Sequence, residues 1–243
     1  MSEHLLLALD ASSSACSVAL WRGDASGRGE LFHRYEIAPR QHTQKLLPMV
    51  DAVLGEAGVV LSSIDAFAYG HGPGSFTGIR IAAGVAQGLA FGAGRALLGV
   101  STLEALALDA YLRHGTELVL AALDARMGEL YAGAFRIERE AGWIQAVGLD
   151  GEQVIEPSAL RLPAAVPGDF FGAGAGFDHL ESFDAGVRAR ITRVEATLEP
   201  DARAIALIAA RGYFLGLARP PAEVQPVYLR NEVASRSQRG PLD

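Results

Sequence analysis

A glycine-rich loop with three side chains able to bind ligands is the strongest candidate for chemistry in this chain. It reads Gly72-Pro73-Gly74-Ser75-Phe76-Thr77-Gly78-Ile79-Arg80 and lies between an apolar run and a helix-like run. The free N–H groups of a first helical turn favour anions, and glycine lets a ligand approach the backbone. Ser75, Thr77 and Arg80 can each contact a phosphate or a carboxylate. The loop therefore predicts an anion site at the start of a helix.

The loop differs from the common phosphate-binding and nucleophile motifs. Its spacing is neither that of Gly-x-x-x-x-Gly-Lys-Ser/Thr nor that of Gly-x-Gly-x-x-Gly. Ser75 also lies one position away from the serine of a Gly-x-Ser-x-Gly motif. The glycines of this loop suit the close approach of another backbone, so anion binding by the isolated chain becomes the secondary interpretation.

Two aspartates each end an apolar run that is typical of a buried strand. Asp10 follows Leu5-Leu6-Leu7-Ala8-Leu9, and Asp124 follows residues 117–123. In a cleft between two lobes, such carboxylates could hold a metal–phosphate group, with Ser12 beside Asp10. The alternative is a turn-forming aspartate that accepts backbone N–H groups. Both alternatives stay open for Asp10, whereas the turn role is favoured for Asp124 because Arg126 can pair with it.

Composition and histidine spacing limit the classes of function. The chain has 243 residues, half of them apolar, and a formal charge of −7. Because phosphate contacts dominate nucleic-acid affinity, an acidic chain would bind RNA only with a partner that supplies positive surface. No two of the six histidines lie three to five residues apart, so we predict no metal site and no catalytic residue. The single cysteine, Cys16, reads as a small buried strand residue and fits a reducing cytoplasm.

The segment before the first apolar run does not resemble a membrane or export signal. It carries no basic region, and Asp10 interrupts the apolar run early. We therefore expect a soluble, cytoplasmic protein with no membrane partner.

The elements that position these residues follow a repeated order. The word Ala8-Leu9-Asp10-Ala11 recurs as Ala122-Leu123-Asp124-Ala125, and each is followed by a turn and a returning strand. An aromatic-glycine pattern at residues 69–74 recurs at residues 171–176. This order predicts a duplicated, β-rich α/β unit. We place the first lobe at residues 1–100, the second at residues 101–230 and a loose tail at residues 231–243.

Helical periodicity predicts four long helices. The first runs from His42 to Ala57, with Thr43 as N-cap and Gly58 as the stop. The second follows the glycine loop to Gly92. The third starts at the N-cap Ser101, and the fourth spans Ala202 to Ala218.

The second helix carries glycine at every fourth position. Gly84, Gly88 and Gly92 form a groove for a neighbouring helix at short range. This neighbour is either part of the chain itself or a partner protein. The apolar face of the first helix extends the same groove.

At several of these words the chain resembles the TsaB (YeaZ) family of bacterial proteins that take part in tRNA threonylcarbamoyladenosine biosynthesis. The glycine-loop word is highly specific, and the other matches support it and follow the family order over almost the whole chain. The matching words are Leu9-Asp10-Ala11-Ser12, His42 with Leu46-Leu47-Pro48, Gly72 to Arg80, Gly99-Val100-Ser101-Thr102-Leu103, Ala122-Leu123-Asp124-Ala125-Arg126 and Pro226-Val227-Tyr228-Leu229-Arg230.

The resemblance implies a duplicated actin-like fold of the ribonuclease-H-like (ASKHA) class, with two β-rich α/β lobes. It also implies a pseudo-enzyme that dimerises with and activates a catalytic paralogue, TsaD. That partner forms N6-threonylcarbamoyladenosine next to the anticodon of tRNAs that read codons beginning with A. The ATPase TsaE joins a larger complex, and tRNA is contacted only indirectly. A homodimer is a further expectation.

The resemblance also assigns roles to residues. It places the partner interface on the first two helices, and Asp10, Ser12, Ser75, Thr77 and Arg80 become candidate ligand contacts. The expected interface side chains are Leu46, Leu47, Val50, Val53, Leu54, Ile79, Ala83 and Ala86.

Cofactors and competing functions follow from the same assignment. No cofactor is expected in the isolated chain, but ATP or ADP with Mg could bind at the interface with the partner. The competing hypothesis is an autonomous ATPase or kinase of the actin-like superfamily or, with less support, a peptidase.

Overall fold

Two β-sheets enclose a pair of helices in the computed structural model, which describes residues 2–230 of the chain. The strands are β1 (His4–Asp10), β2 (Ala15–Gly23), β3 (Gly29–Ile37), β4 (Ala66–Gly72), β5 (Ala96–Ser101), β6 (Leu118–Arg126), β7 (Glu129–Glu140), β8 (Trp143–Gly148), β9 (Gln153–Ile155), β10 (Phe170–Ala173) and β11 (Ile191–Glu195). The α-helices are α1 (His42–Ala57), α2 (Phe76–Ala93), α3 (Thr102–His114), α4 (Ala185–Arg188) and α5 (Ala202–Phe214). Short 3₁₀ segments occupy Leu61–Ser63, Pro157–Ala159, Ala175–Ser182 and Pro221–Glu223.

The two sheets repeat one topology, which confirms the predicted duplication. The first sheet has the order β3-β2-β1-β4-β5, and the second has β8-β7-β6-β10-β11, with β9 added beside β7. In each sheet the first three strands of the unit pair antiparallel. The fourth strand then joins parallel to the first, and the fifth parallel to the fourth. The repeated words that end at Asp10 and Asp124 therefore lie on equivalent central strands.

The two units differ in the helices between their later strands. In the first unit, α1 and α2 connect β3 to β4 and β4 to β5. In the second unit, the corresponding connections hold only β9, 3₁₀ segments and the four-residue α4. Among the described residues, a pair of long outer helices thus occurs in the first unit alone.

The main core lies between the sheets, where α3 and α5 pack against each other. Helix α3 contacts β6, β7 and β8 of the second sheet, whereas α5 contacts β1, β2, β4 and β5 of the first. The helix that follows the last strand of each sheet in the chain thus packs on strands of the other sheet. The division at residues 100 and 101 stays a prediction because this core is continuous, and the predicted tail at residues 231–243 lies outside the described residues.

Local capping sets the helix ends. Of three ends that the sequence predicts, one is confirmed and two are wrong. Ser101 caps α3 as predicted, since its hydroxyl accepts from the N–H groups of Leu103 and Glu104. Thr43 as the cap of α1 is wrong, because the helix already starts at His42. The predicted end of α5 at Ala218 is also wrong. Gly216 turns the chain with a φ of 73°.

Two further sequence predictions concern single features. Cys16 is buried in β2, as predicted. Within residues 2–230, none of the helices combines the length and the apolar character that crossing a membrane requires.

A buried polar network holds the two central helices together. Asp109 of α3 is fully buried and accepts from Arg113 at 2.6 Å, and it also pairs with Arg203 of α5. Asp201 caps α5 and bonds His33 of β3 at 2.6 Å. The network therefore links both helices to the edge of the first sheet.

We predict that Asp109→Ala destabilises the fold by about 2–3 kcal/mol, because it leaves two guanidinium groups without their buried acceptor. Equilibrium urea unfolding followed by circular dichroism measures this loss. The matched control is Asp169→Ala at an exposed position, which should stay within about 0.5 kcal/mol of the parent chain. Equal stability of the two variants would contradict the role given to Asp109.

Candidate functional site

The glycine loop packs backbone to backbone on the turn between β1 and β2. A Cβ atom at Gly78 would overlap the carbonyl oxygen of Ala11, and one at Gly74 would overlap that of Ser12. Gly74 also has a φ of 158°, at the edge of the region that favours glycine. These two glycines are therefore required by the approach of this chain's own turn.

The polar groups of the loop are largely used inside the chain. The N–H of Ser75 donates to the carbonyl of Ser12 at 2.7 Å. Its hydroxyl accepts from the N–H of Gly78 at 3.2 Å, and its carbonyl accepts from the N–H of Ile79 at 2.9 Å. Ser75 is thus the N-cap of α2. The loop therefore positions a helix, and the N–H groups of Ser75, Gly78 and Ile79 are bonded within the chain.

Asp10 organises the turn on which the loop rests. One carboxylate oxygen accepts from the N–H and the hydroxyl of Ser12 at 3.1 and 3.0 Å. The other oxygen faces Gly70 and has no hydrogen-bond partner among residues 2–230. Burial raises the pKa of Asp10 to about 8, so this carboxyl is mainly protonated at neutral pH. The turn-forming alternative accounts for this geometry.

The five predicted ligand contacts separate into buried and exposed groups. Asp10 and Ser12 are buried, and their role as ligand contacts stays a prediction. Ser75 is exposed but serves as the cap. Thr77 and Arg80 both reach the surface.

Arg80 lies in a small aromatic group on that surface. Its guanidinium carbon is 3.3 Å from the ring centre of Phe76 and 4.8 Å from that of Tyr228. The two rings are 5.8 Å apart. Sequence reasoning missed Phe76 and Tyr228 as surface residues, although the i, i+4 spacing of Phe76 and Arg80 on a helix was visible.

Helices α1 and α2 lie side by side, but most of the predicted interface residues point into the chain. The seven buried members of the predicted set are Leu46, Val50, Val53, Leu54, Ile79, Ala83 and Ala86. All of them except Ile79 belong to the core cluster beneath the first sheet. Their place in a partner interface stays a prediction. Only Leu47 of the set is exposed, with 48% of its surface accessible.

The outer face of these two helices is formed by other residues, and it is open. Gly84, Gly88 and Gly92 are exposed, and a Cβ atom at any of them would meet nothing within 4 Å. The internal-packing alternative for this stripe is therefore wrong. Phe91 follows the stripe with 82% of its surface exposed, and Phe76 lies at the other end with 58%. We call the surface formed by Leu47, Phe76, Phe91 and the three glycines the outer helix face.

Two other candidates fall outside this region. Asp124 pairs with Arg126 at 3.1 Å and accepts its N–H at 2.7 Å, which confirms the structural role favoured for it. His71 lies in β4 with its ring against Gly99.

Comparisons with known proteins place this geometry in a family. A family model described as TsaD, tRNA N6-adenosine threonylcarbamoyltransferase, matches residues 35–211. The protein of Escherichia coli named tRNA threonylcarbamoyladenosine biosynthesis protein TsaB is 38% identical over 97% of this chain and 98% of its own length. The chain belongs to the TsaB family. A Haemophilus influenzae protein of the same name is also 38% identical, over 99% of both chains.

A solved structure supports the same family and the fold. The structure titled YeaZ from Pseudomonas aeruginosa superposes with a TM-score of 0.83 at 42% identity, covering 93% of this chain and all of its own. The duplicated, actin-like α/β fold expected from the TsaB resemblance is thereby confirmed.

In this TsaB-family chain, Asp10 and Ser75 are used in the structure of the turn and the loop. No group of three or more histidine, cysteine, aspartate or glutamate side chains could hold a metal ion in residues 2–230. Asp10 is buried and Ser75 is engaged as a cap. A nucleotide at a surface shared with a partner stays a prediction, and it now concerns Thr77 and Arg80.

Two glycine-to-alanine variants test the loop packing. We predict that Gly78→Ala lowers the free energy of unfolding by at least about 2 kcal/mol, because its methyl group overlaps the Ala11 carbonyl. Gly84→Ala is the matched control on the same helix. There the methyl group meets open space, so we expect a gain of about 0.5–1 kcal/mol from helix propensity. Urea unfolding distinguishes the two, and a harmless Gly78→Ala would contradict the packing role.

The raised pKa of Asp10 predicts a pH dependence of stability. Between the ordinary aspartate pKa of 3.8 and the folded value of about 8, the folded chain holds a proton on Asp10 that the unfolded chain lacks. Stability from this group therefore falls as pH rises through that window. Asparagine at this position does not titrate, so Asp10→Asn lacks this pH dependence. The free energy of unfolding of the variant, relative to that of the parent, should therefore increase from pH 5 to pH 8. Parallel stability curves over this range would refute the assignment.

Proposed function

We propose that this chain acts in tRNA threonylcarbamoyladenosine biosynthesis as a non-catalytic subunit that binds a TsaD-type transferase. The outer helix face is the docking surface, and binding activates the partner. The family membership supports the pathway. The open glycine stripe on α2 supports the docking role.

The glycine stripe carries the docking proposal. Small residues at i, i+4 and i+8 let the axis of a second helix approach closely, with side chains of that helix lying in the groove. The same two helices carry exposed apolar side chains at Leu47, Phe76 and Phe91. A helix pair with such a face and no cover from the described residues is typical of a protein-binding surface.

The charge of the chain supports an indirect role towards tRNA. The formal charge is −7, and the exposed positions of α1 include Asp51 and Glu56. A tRNA held through phosphate contacts needs basic surface, which the transferase partner would supply. The N6-threonylcarbamoyladenosine product next to the anticodon, in tRNAs that read codons beginning with A, then depends on the partner's site.

An autonomous ATPase or kinase has less support from the described residues. Asp10 is buried and mainly protonated, and Ser12 donates to it. Three N–H groups of the loop, those of Ser75, Gly78 and Ile79, are bonded to the chain itself. A peptidase would need a nucleophile or a metal, for which the sequence offers no motif.

Further expectations from the family resemblance stay predictions. These are a larger complex with the ATPase TsaE, ATP or ADP with Mg at the surface shared with TsaD, and a cytoplasmic location. A homodimer would use the same outer helix face and would therefore compete with the transferase. Calorimetry with Mg-ATP on the chain and on the mixed subunits would separate binding by one protein from binding at the shared surface.

The docking surface is tested by Leu47→Glu. We predict that this change weakens binding to the TsaD-type transferase of the same genome at least tenfold, because it places a charge on the apolar rim of the groove. Stability should be nearly unchanged, since Leu47 is half exposed. Size-exclusion chromatography and calorimetry of the mixed subunits measure the complex.

The matched control is Leu215→Glu, the same chemical change at an exposed position after α5. It should leave the complex intact. Val50→Glu is not informative, because Val50 is buried and the charge would unfold the chain. If Leu47→Glu bound the transferase as tightly as the control, the outer helix face would not be the docking surface.

A further inference from the structure

A cavity of about 450 Å³ lies beside the central helices α3 and α5. Its walls come from β4, β5, α3, β8 and α5 and from residues 217–225 of the C-terminal segment. Both units of the fold therefore contribute to it. This volume falls within the range of small-molecule sites, which is about 300–1,000 Å³.

The C-terminal segment closes one side of the cavity and is fixed in place by hydrogen bonds. Leu97 and Arg219 exchange both backbone hydrogen bonds, at 2.8 and 2.9 Å. The carbonyl of Val224 accepts from the hydroxyl of Tyr69 at 3.2 Å and from the amide of Gln87 at 2.9 Å. The wall is thus part of the folded chain, and the cavity is preformed.

Glu104 presents a carboxyl group to this cavity from the first turn of α3. This side chain accepts no hydrogen bond and forms no ion pair within residues 2–230. Burial, with the nearby carboxylate of Glu152, raises the pKa of Glu104 to about 7. Arg211 also lines the cavity, but its guanidinium pairs with Glu140 at 3.2 Å. Glu104 is therefore an unused acceptor at a partly desolvated position.

His71 lies on the same cavity wall. Glycine at position 99 makes room for its ring, since a Cβ atom there would overlap the imidazole. Burial lowers the pKa of His71 to about 4, so the ring is neutral at physiological pH. The ring nitrogens of His71 have no hydrogen-bond partner among the described residues. His71 can therefore face a cation without repelling it and can offer a ring nitrogen as acceptor.

We propose that this cavity binds a small organic amine, with its ammonium group at Glu104 and its apolar body against Leu98, Ile144 and Leu217. The apolar walls favour a hydrocarbon or aromatic body. The ammonium group restores the partner that the Glu104 carboxylate lacks. The cationic side chains Arg211 and Arg219 and the acidic Glu223 also line the site, so an anionic ligand is the competing outcome. This proposal is independent of the docking function.

Three probes of matched shape test the class of ligand. The isotope-labelled chain is titrated with 2-phenylethylamine, 2-phenylethanol or phenylacetate, and chemical shifts of the amides of Gly99, Glu104 and Gln145 are followed. We expect saturable shifts with the amine at millimolar concentration and at least tenfold weaker binding of the alcohol and the acid. Equal binding of amine and alcohol, or tighter binding of phenylacetate, would overturn the proposal.

The pH dependence of amine binding gives a second measurement. Because the amine needs the ionised carboxylate, affinity should rise about tenfold between pH 6 and pH 8 as Glu104 loses its proton. The amine itself stays protonated over this range, as lysine does. An affinity that is constant or falls with pH would contradict the role of Glu104.

Substitution of the acceptor completes the test. Glu104→Gln should reduce amine affinity at least tenfold and remove its pH dependence, while thermal unfolding shows that the variant is folded. The matched control is Glu138→Gln, an exposed glutamate of β7 that does not line the cavity, and it should bind the amine like the parent. Undiminished binding by a folded Glu104→Gln would show that the ammonium lies elsewhere.

Discussion

The contact between two backbones determines the geometry of the first lobe. The carbonyl oxygens of Ala11 and Ser12 occupy the positions where Cβ atoms of residues 78 and 74 would stand, so the loop closes on the turn only with glycine there. Ser75 joins the two by donating to the turn and capping α2. The direction of α2 therefore depends on this contact, and α1 packs beside α2 over the same core. The outer helix face is a consequence of how closely the loop approaches the turn.

Duplication explains which parts of the chain could diverge. Helices α3 and α5 are buried between the sheets, and each covers strands that it would expose if it were lost. The segments of the second unit that correspond to α1 and α2 lie outside this central core and pack in a separate cluster. There, Phe177 and Phe183 pack from 3₁₀ and extended segments against β6 and β7, which closes that sheet with fewer residues. A long helix pair in the first unit alone leaves one lobe with a broad surface for a partner.

The sequence could predict the sheets and most helices but not the direction of the helix faces. Repeated sequence words at strand ends and helical periodicity are local signals, and the observed strands and long helices agree with them. Periodicity shows that Leu46, Val50 and Leu54 share a face, but it cannot tell whether that face meets the core or a partner. The same limit applies to predictions about glycine. The sequence does not distinguish Gly78 from Gly84, but the backbone of Ala11 crowds Gly78 and Gly84 faces open space. The cavity at Glu104 escaped prediction because its walls come from residues far apart in the sequence, from His71 to Gln225.

Asp10 shows how a position suited to chemistry can serve structure instead. It ends a central strand, where a carboxylate in a cleft could bind a metal–phosphate group. Here the loop covers it, burial raises its pKa to about 8, and one oxygen bonds both donors of Ser12. Ser12 in turn accepts from Ser75, the cap of α2. A chain of short contacts therefore leads from the strand end to the helix that carries the glycine stripe. A neutral Asp10 fits this role better than a charged one, because an ion at this depth would need a partner that the surrounding residues do not supply.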